Sequence, residues 1–153
     1  MIGRVKTLLG LAAREDDVAP DPQNELRLAA ACILVEASLI DGHVDQRETS
    51  ALTALLAAHF ELGEAEVIIL VEQATKIAND AVDWNRFTRV LKSEFDAEER
   101  IAMMEMLWQV VLADGELHAY EDSLVRRIAG LLHVEDHDRA AARRRAQARL
   151  DEL

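Results

Sequence analysis

Leu39-Ile40-Asp41-Gly42-His43-Val44-Asp45-Gln46-Arg47-Glu48 and Leu112-Ala113-Asp114-Gly115-Glu116-Leu117-His118-Ala119-Tyr120-Glu121 are two versions of one instruction. Each ends an apolar helical run at Asp-Gly and starts a new helix a few residues later. Ahead of the first, Leu28, Ala31, Cys32, Val35 and Leu39 recur at helical spacing, behind an opening Asp21-Pro22 that supplies an N-cap and a first-turn proline. Gly42 stops that helix, because glycine enters the left-handed C-cap conformation most easily. Asp45 and Glu48 are spaced as a capping box with Val44 as the staple, so the next helix starts at once and runs to about Phe60. In the second copy, Asp96 and Glu99 form another capping-box pair behind Phe95. They open a helix through Ile101, Met104, Leu107, Trp108, Val111 and Leu112 that stops at Asp114-Gly115, and a further helix covers about His118 to Leu132.

Laying Ile33 to Ser50 over Met106 to Ser123 without gaps matches Leu34 with Leu107, Leu39 with Leu112, Asp41 with Asp114, Gly42 with Gly115, Glu48 with Glu121 and Ser50 with Ser123. These identities cluster at the hinge, which argues for a duplicated helical hairpin whose copies bury each other's apolar faces. Periodic segments at about Glu64 to Ala78, Asp83 to Lys92 and Glu135 to Leu150 read as further helices, and strand signals are essentially absent. The expected fold is all-α: a compact bundle of about seven to eight helices with an internally duplicated helix–turn–helix hairpin. Residues 21–150 form the domain, and residues 1–20 form an amphipathic helix and linker. In that first segment Ile2, Val5, Leu8, Leu9 and Ala12 make one stripe flanked by Arg4, Lys6 and Arg14. It docks on the domain or a sister chain, or it lies on a membrane surface through residues 1–14.

Composition agrees. Only 4% of the residues are aromatic, and two prolines and six glycines leave helix formation little opposed. The net charge of −12 repels phosphate backbones, so nucleic acid is not an expected partner. The single cysteine, Cys32, lies in an apolar run and reads as core in a reducing compartment. Charges interrupt every stretch approaching membrane-spanning length, and the N-terminus lacks the apolar core and cleavage site of a signal peptide. A cytoplasmic protein is expected, with peripheral contact at the inner membrane face as a variant of that reading, and a protein partner or a second copy of the chain as its company.

Asp41 and Asp114 fall at helix C-termini, where the backbone dipole disfavours a carboxylate. One reading is structural: each aspartate accepts backbone N–H groups of the hinge and fixes its angle. The other is that Asp41, Asp45 and Glu48, and separately Asp114, Glu116 and Glu121, supply oxygen ligands to a divalent cation, with Ca, Mn and Zn not distinguished. The loops lack the EF-hand spacing. His118 stands where Asp45 does, which weakens a hard-cation site in the second copy and admits a softer metal. His133 and His137 straddle a helix break and read as exposed linker histidines. Glu36, the one charge in its apolar run, reads as an edge residue. Met103, Met104, Met106 and Trp108 read as core, and Arg139, Arg143, Arg144, Arg145 and Arg149 as a solvated face pairing with the acidic body. No nucleophile–base set or phosphate loop is present, so an enzyme is not expected.

The two hinges, Leu39-Ile40-Asp41-Gly42-x-Val44-Asp45-x-x-Glu48 and Val111-Leu112-Ala113-Asp114-Gly115-x-Leu117-x-x-x-Glu121, with Phe95-Asp96-x-Glu98-Glu99-Arg100 between them, resemble the paired signature of the TerB (tellurite-resistance) family. The resemblance covers roughly Asn24 to His133. It implies an all-α bundle, a stress-response role associated with tellurite resistance, and an acidic metal-binding surface. On this sequence that surface falls on Asp41, Asp45, Glu48, Asp114 and Glu121. His118 departs from the small polar or acidic cap more usual in the family.

Overall fold

The computed structural model describes residues 22–40, 43–44, 46–80 and 84–152. The amphipathic stretch 1–14, its linker, Asp41, Gly42 and Asp45 lie outside them. Among the described residues are seven helices: α1 (Pro22–Ser38), α2 (Gln46–Phe60), α3 (Glu64–Asp80), α4 (Trp84–Glu94), α5 (Ala97–Val111), α6 (Ala119–Leu131) and α7 (Asp136–Asp151).

The order follows the sequence pattern, with one correction at the first hinge. The helix expected to run through Leu39 ends at Ser38, whose hydroxyl donates to the Val35 carbonyl at 2.7 Å. Beyond it a two-residue strand β1 (Leu39–Ile40) pairs antiparallel with β2 (His43–Val44), Leu39 opposite Val44 and Ile40 opposite His43. The two residues between the strands in sequence are Asp-Gly, a favoured two-residue hairpin link. Pairing satisfies backbone groups that a helix terminus would leave open. The second hinge is different: its chain stays in tight helical turns, with Ala113 N–H on the Val110 carbonyl and Gly115 N–H on the Leu112 carbonyl. The duplicated sequence therefore closes its two hinges in two ways.

The bundle is built on α1 and α5, the leading helices of the two hairpins. Every residue from Ala29 to Val35 is buried, so α1 is apolar on all sides and packs against α2, α3, α4 and α5. Its alanines let the neighbouring backbones approach closely. Cys32 is buried there and its thiol is pushed up to about 12 by desolvation, which makes it an inert core side chain as expected. On α5, Met103, Met104, Met106, Leu107 and Trp108 are all buried, again as core. Asp96 Oδ1 accepts the Glu99 N–H at 2.8 Å while Glu99 Oε1 accepts the Asp96 N–H at 2.9 Å, so the expected capping box forms in full.

Helix α7 lies along α5. It fully buries the small faces of Ala142 and Ala146, packs Leu150 against the core and supplements them with charge. Arg145 Nε donates to Glu105 Oε1 at 2.8 Å, Arg149 Nε donates to the other oxygen of the same carboxylate, and the Arg143 guanidinium lies 5.0 Å from the centre of the Trp108 ring. The arginine-rich face is thus a docking surface onto the acidic body. Helices α2 and α6 end alike: Glu61 and His133 take left-handed φ values of 55° and 60°, and the next residue's N–H reaches back five positions, Leu62 to Ala57 and Val134 to Ala129. His133 is therefore the helix stop itself.

Candidate metal centre where the hinges meet

In the second hinge Gly115 has φ +87°, the left-handed conformation that reverses the chain between α5 and α6. A Cβ built there would meet nothing within 4 Å, so an alanine would strain the backbone without clashing. Gly115→Ala should cost about 1 kcal/mol, read as a fall in urea midpoint at unchanged m-value; a cost-free substitution would contradict this hinge geometry.

Asp114 holds the turn. Its Oδ1 accepts the Glu116 N–H at 2.9 Å, an Asx turn, and its Oδ2 lies 3.4 Å from His118 Nε2. The structural reading of the aspartate is therefore realised, and one of its oxygens faces a histidine as well. His118 caps α6 by backbone only. Its N–H donates to Glu121 Oε1 at 3.1 Å, half of the capping box, while its ring turns to Asp114 and returns no cap of its own. Glu116 is exposed and stands apart.

Glu121 is fully buried, as is Glu48, its counterpart in the first copy. Burial raises the Glu121 carboxyl above its ordinary range and the Asp114 charge adds to the rise. The His118 N–H, the His118 ring and the Glu48 carboxyl oppose it. Two hinge glutamates that the sequence assigns to separate sites thus face one another inside the bundle. Glu121 Oε2 is sealed from solvent and has no hydrogen-bond partner beyond the facing Glu48 carboxyl, a state that costs free energy unless a proton or a cation joins the two.

Of the five residues expected to hold metal, the fold brings Glu48, Asp114 and Glu121 into one neighbourhood, and Asp41 and Asp45 lie outside the described residues. The three fit a divalent ion by donor type and by the orphaned oxygen. Among the described residues, however, the one trio of His, Cys, Asp or Glu whose ligand atoms all lie within 4.8 Å of one another is Glu135, His137 and the half-buried Asp138, at the start of α7. Closing a cage around Glu48 and Glu121 therefore requires further ligands. Glu36, read as an edge residue, is half-buried beside the site and accepts from Tyr120 Oη at 3.5 Å, which ties the last turn of α1 to the first of α6. Burial raises the Glu36 carboxyl, against the Tyr120 hydrogen bond. The sequence signal for this contact was a lone charge in an apolar run and an aromatic next to the hinge glutamate.

The family model for tellurite resistance protein TerB matches residues 27–144, the span that contains both hinges and the helices they join. This chain belongs to the TerB family. No curated protein sequence matches this TerB domain. Among solved structures it resembles a protein of unknown function from Porphyromonas gingivalis W83, at TM-score 0.61 and 16% identity, covering 91% of this chain and 99% of that one. At that identity the likeness speaks for the shared helical architecture alone. No helix among the described residues is long and apolar enough to cross a membrane.

Proposed function

We propose that this TerB domain is a non-enzymatic, cytoplasmic stress-response protein whose paired hinges bind a divalent cation, in the tellurite-resistance context that the family's description names. The observation that carries the proposal is the burial of Glu48 and Glu121 side by side, with no partner for Glu121 Oε2 beyond the Glu48 carboxyl. Two carboxylates held together inside a protein repel unless a shared proton or a cation joins them. Glu48, Glu121 and Asp114 would be ligands, with Asp41 and Asp45 of the first hinge completing the set. Such an ion would join the two hairpins and set the surface offered to a protein partner.

Calorimetric titration of the full chain with calcium, manganese and zinc tests this. The parent should bind at least one of them, and the double variant Glu48→Gln, Glu121→Gln should bind none. No binding to the parent, or undiminished binding to the variant, sinks the proposal. The raised Glu121 carboxyl favours a second reading, in which a shared proton replaces the ion and the TerB domain is a purely structural interaction module. Under that reading every metal titration is flat while the stability of the parent still depends on pH.

A further inference from the structure

We infer that α7 is a detachable cover of α5: it lifts off as a unit, turning about the link between Val134 and Glu135, and uncovers Trp108 while the rest of the bundle stays packed. This inference is independent of the metal reading. Helix α7 packs along α5, with no more than passing contact to any other described helix. Its fully buried side chains are two single methyl groups, those of Ala142 and Ala146, and Leu150 is only partly buried. Burial stabilises in proportion to apolar area, so α7 is held far less firmly by its core face than α1 or α5. The ion pairs at its start, Arg139 with Asp136 and His137 with Glu135 and Asp138, stay inside the helix and tie it to nothing else.

What fastens α7 is charge. One α5 carboxylate, Glu105, carries both ties, Arg145 on one oxygen and Arg149 on the other. The two arginine side chains are 48% and 63% exposed, which leaves them open to salt, whose screening length shrinks from about 8 Å at physiological strength to about 3 Å at 1 M. The face beneath is not fully satisfied either. Trp108 is 2% exposed below the Arg143 guanidinium, and its indole N–H, which can only donate, finds no acceptor there. A buried donor left unpaired is costly, and lifting α7 lets it reach water or an acceptor on a partner. The link supplies a fixed pivot: Val134 is buried with its N–H on the Ala129 carbonyl, whereas the Glu135 side chain makes no cap bond to the first turn of α7.

Hydrogen exchange of the full chain, read by mass spectrometry at low salt and at about 1 M sodium chloride, tests this. Amides of α7 should exchange about a hundredfold faster than those of Ala29 to Val35, and salt should speed α7 by about fivefold without speeding α1. Glu105→Gln should speed α7 by about five- to tenfold. In a Trp84→Phe background, which leaves Trp108 as the sole indole, it should also raise acrylamide quenching of the fluorescence. Arg126→Gln, which breaks a pair inside α6, should change neither reading. Exchange of α7 in step with α1 would mean that it leaves only when the whole domain unfolds. Faster exchange confined to its last turn, with Trp108 quenching unchanged, would mean that the end merely frays. An α7 that exchanges at the parent's rate in Glu105→Gln would mean that the carboxylate does not fasten it, and equal effects from Arg126→Gln would mean general loosening. Each of these four results overturns the inference.

Discussion

Glu121→Gln is expected to raise the thermal midpoint of the metal-free protein at pH 7 and, under the proposed function, to remove cation binding. The amide oxygen can go on accepting the His118 N–H now held by Glu121 Oε1, and the amide nitrogen gains the Glu48 carboxylate as an acceptor. What disappears is a buried carboxylate whose second oxygen has no partner but another carboxyl. Relieving such a group is worth about 1–3 kcal/mol, and for a domain of this size each kcal/mol moves the midpoint by about 2–4 °C. The same change fixes the pH dependence. Because the folded Glu121 carboxyl titrates above its ordinary 4.5, the folded state holds more protons than the unfolded one just above that pH. The parent's stability is then greatest below the unfolded value and declines as pH rises through the folded one. Glu36, raised in the same direction, leaves a slope of the same sign in the variant. Thermal melts in chelator from pH 4 to pH 8 measure both. A lower midpoint at pH 7 with the parent's full slope would show that Glu121 is already satisfied. A raised midpoint together with lost binding would mark the site as one that trades stability for binding.

The largest losses of stability should come from the repeat-related leucines. Leu34 and Leu107 occupy equivalent places in the duplicated hairpins and neither exposes any surface. Truncating either to alanine should cost about 2–5 kcal/mol in transfer and cavity terms, a large share of the roughly 5–15 kcal/mol that holds a typical domain folded. Urea melts should show a lower midpoint at unchanged m-value. Comparable losses would support two hairpins contributing equally to one core. A loss below about 1 kcal/mol at either position would mean that the cavity closes and that this part of the core packs loosely.

The helices and their order were legible because capping and periodicity are local. Asp96 and Glu99 satisfy each other's backbone N–H groups wherever the rest of the chain lies, and the buried alanines and methionines follow helical spacing. The β1–β2 pairing was not legible: Leu39 and Ile40 continue the helical spacing of α1, and whether they stay in the helix or pair with a neighbouring strand is not a local property. The meeting of Glu48 and Glu121 was also hidden, since two residues so far apart in sequence become neighbours only through the packing of α1 on α5. Likewise the arginines of α7 announced an acidic partner surface but could not single out Glu105.

That meeting of glutamates bears on how such a site arises. One hairpin brings one inward-facing carboxyl, which alone has nothing to share and is a burden to its own half. Doubling the hairpin and folding the copies together creates the pair in a single genetic event, with no new residue required. Later change acts on the copies separately, as the histidine at 118 opposite the aspartate at 45 illustrates: duplication supplies the pair of carboxyls, and divergence makes their surroundings unequal.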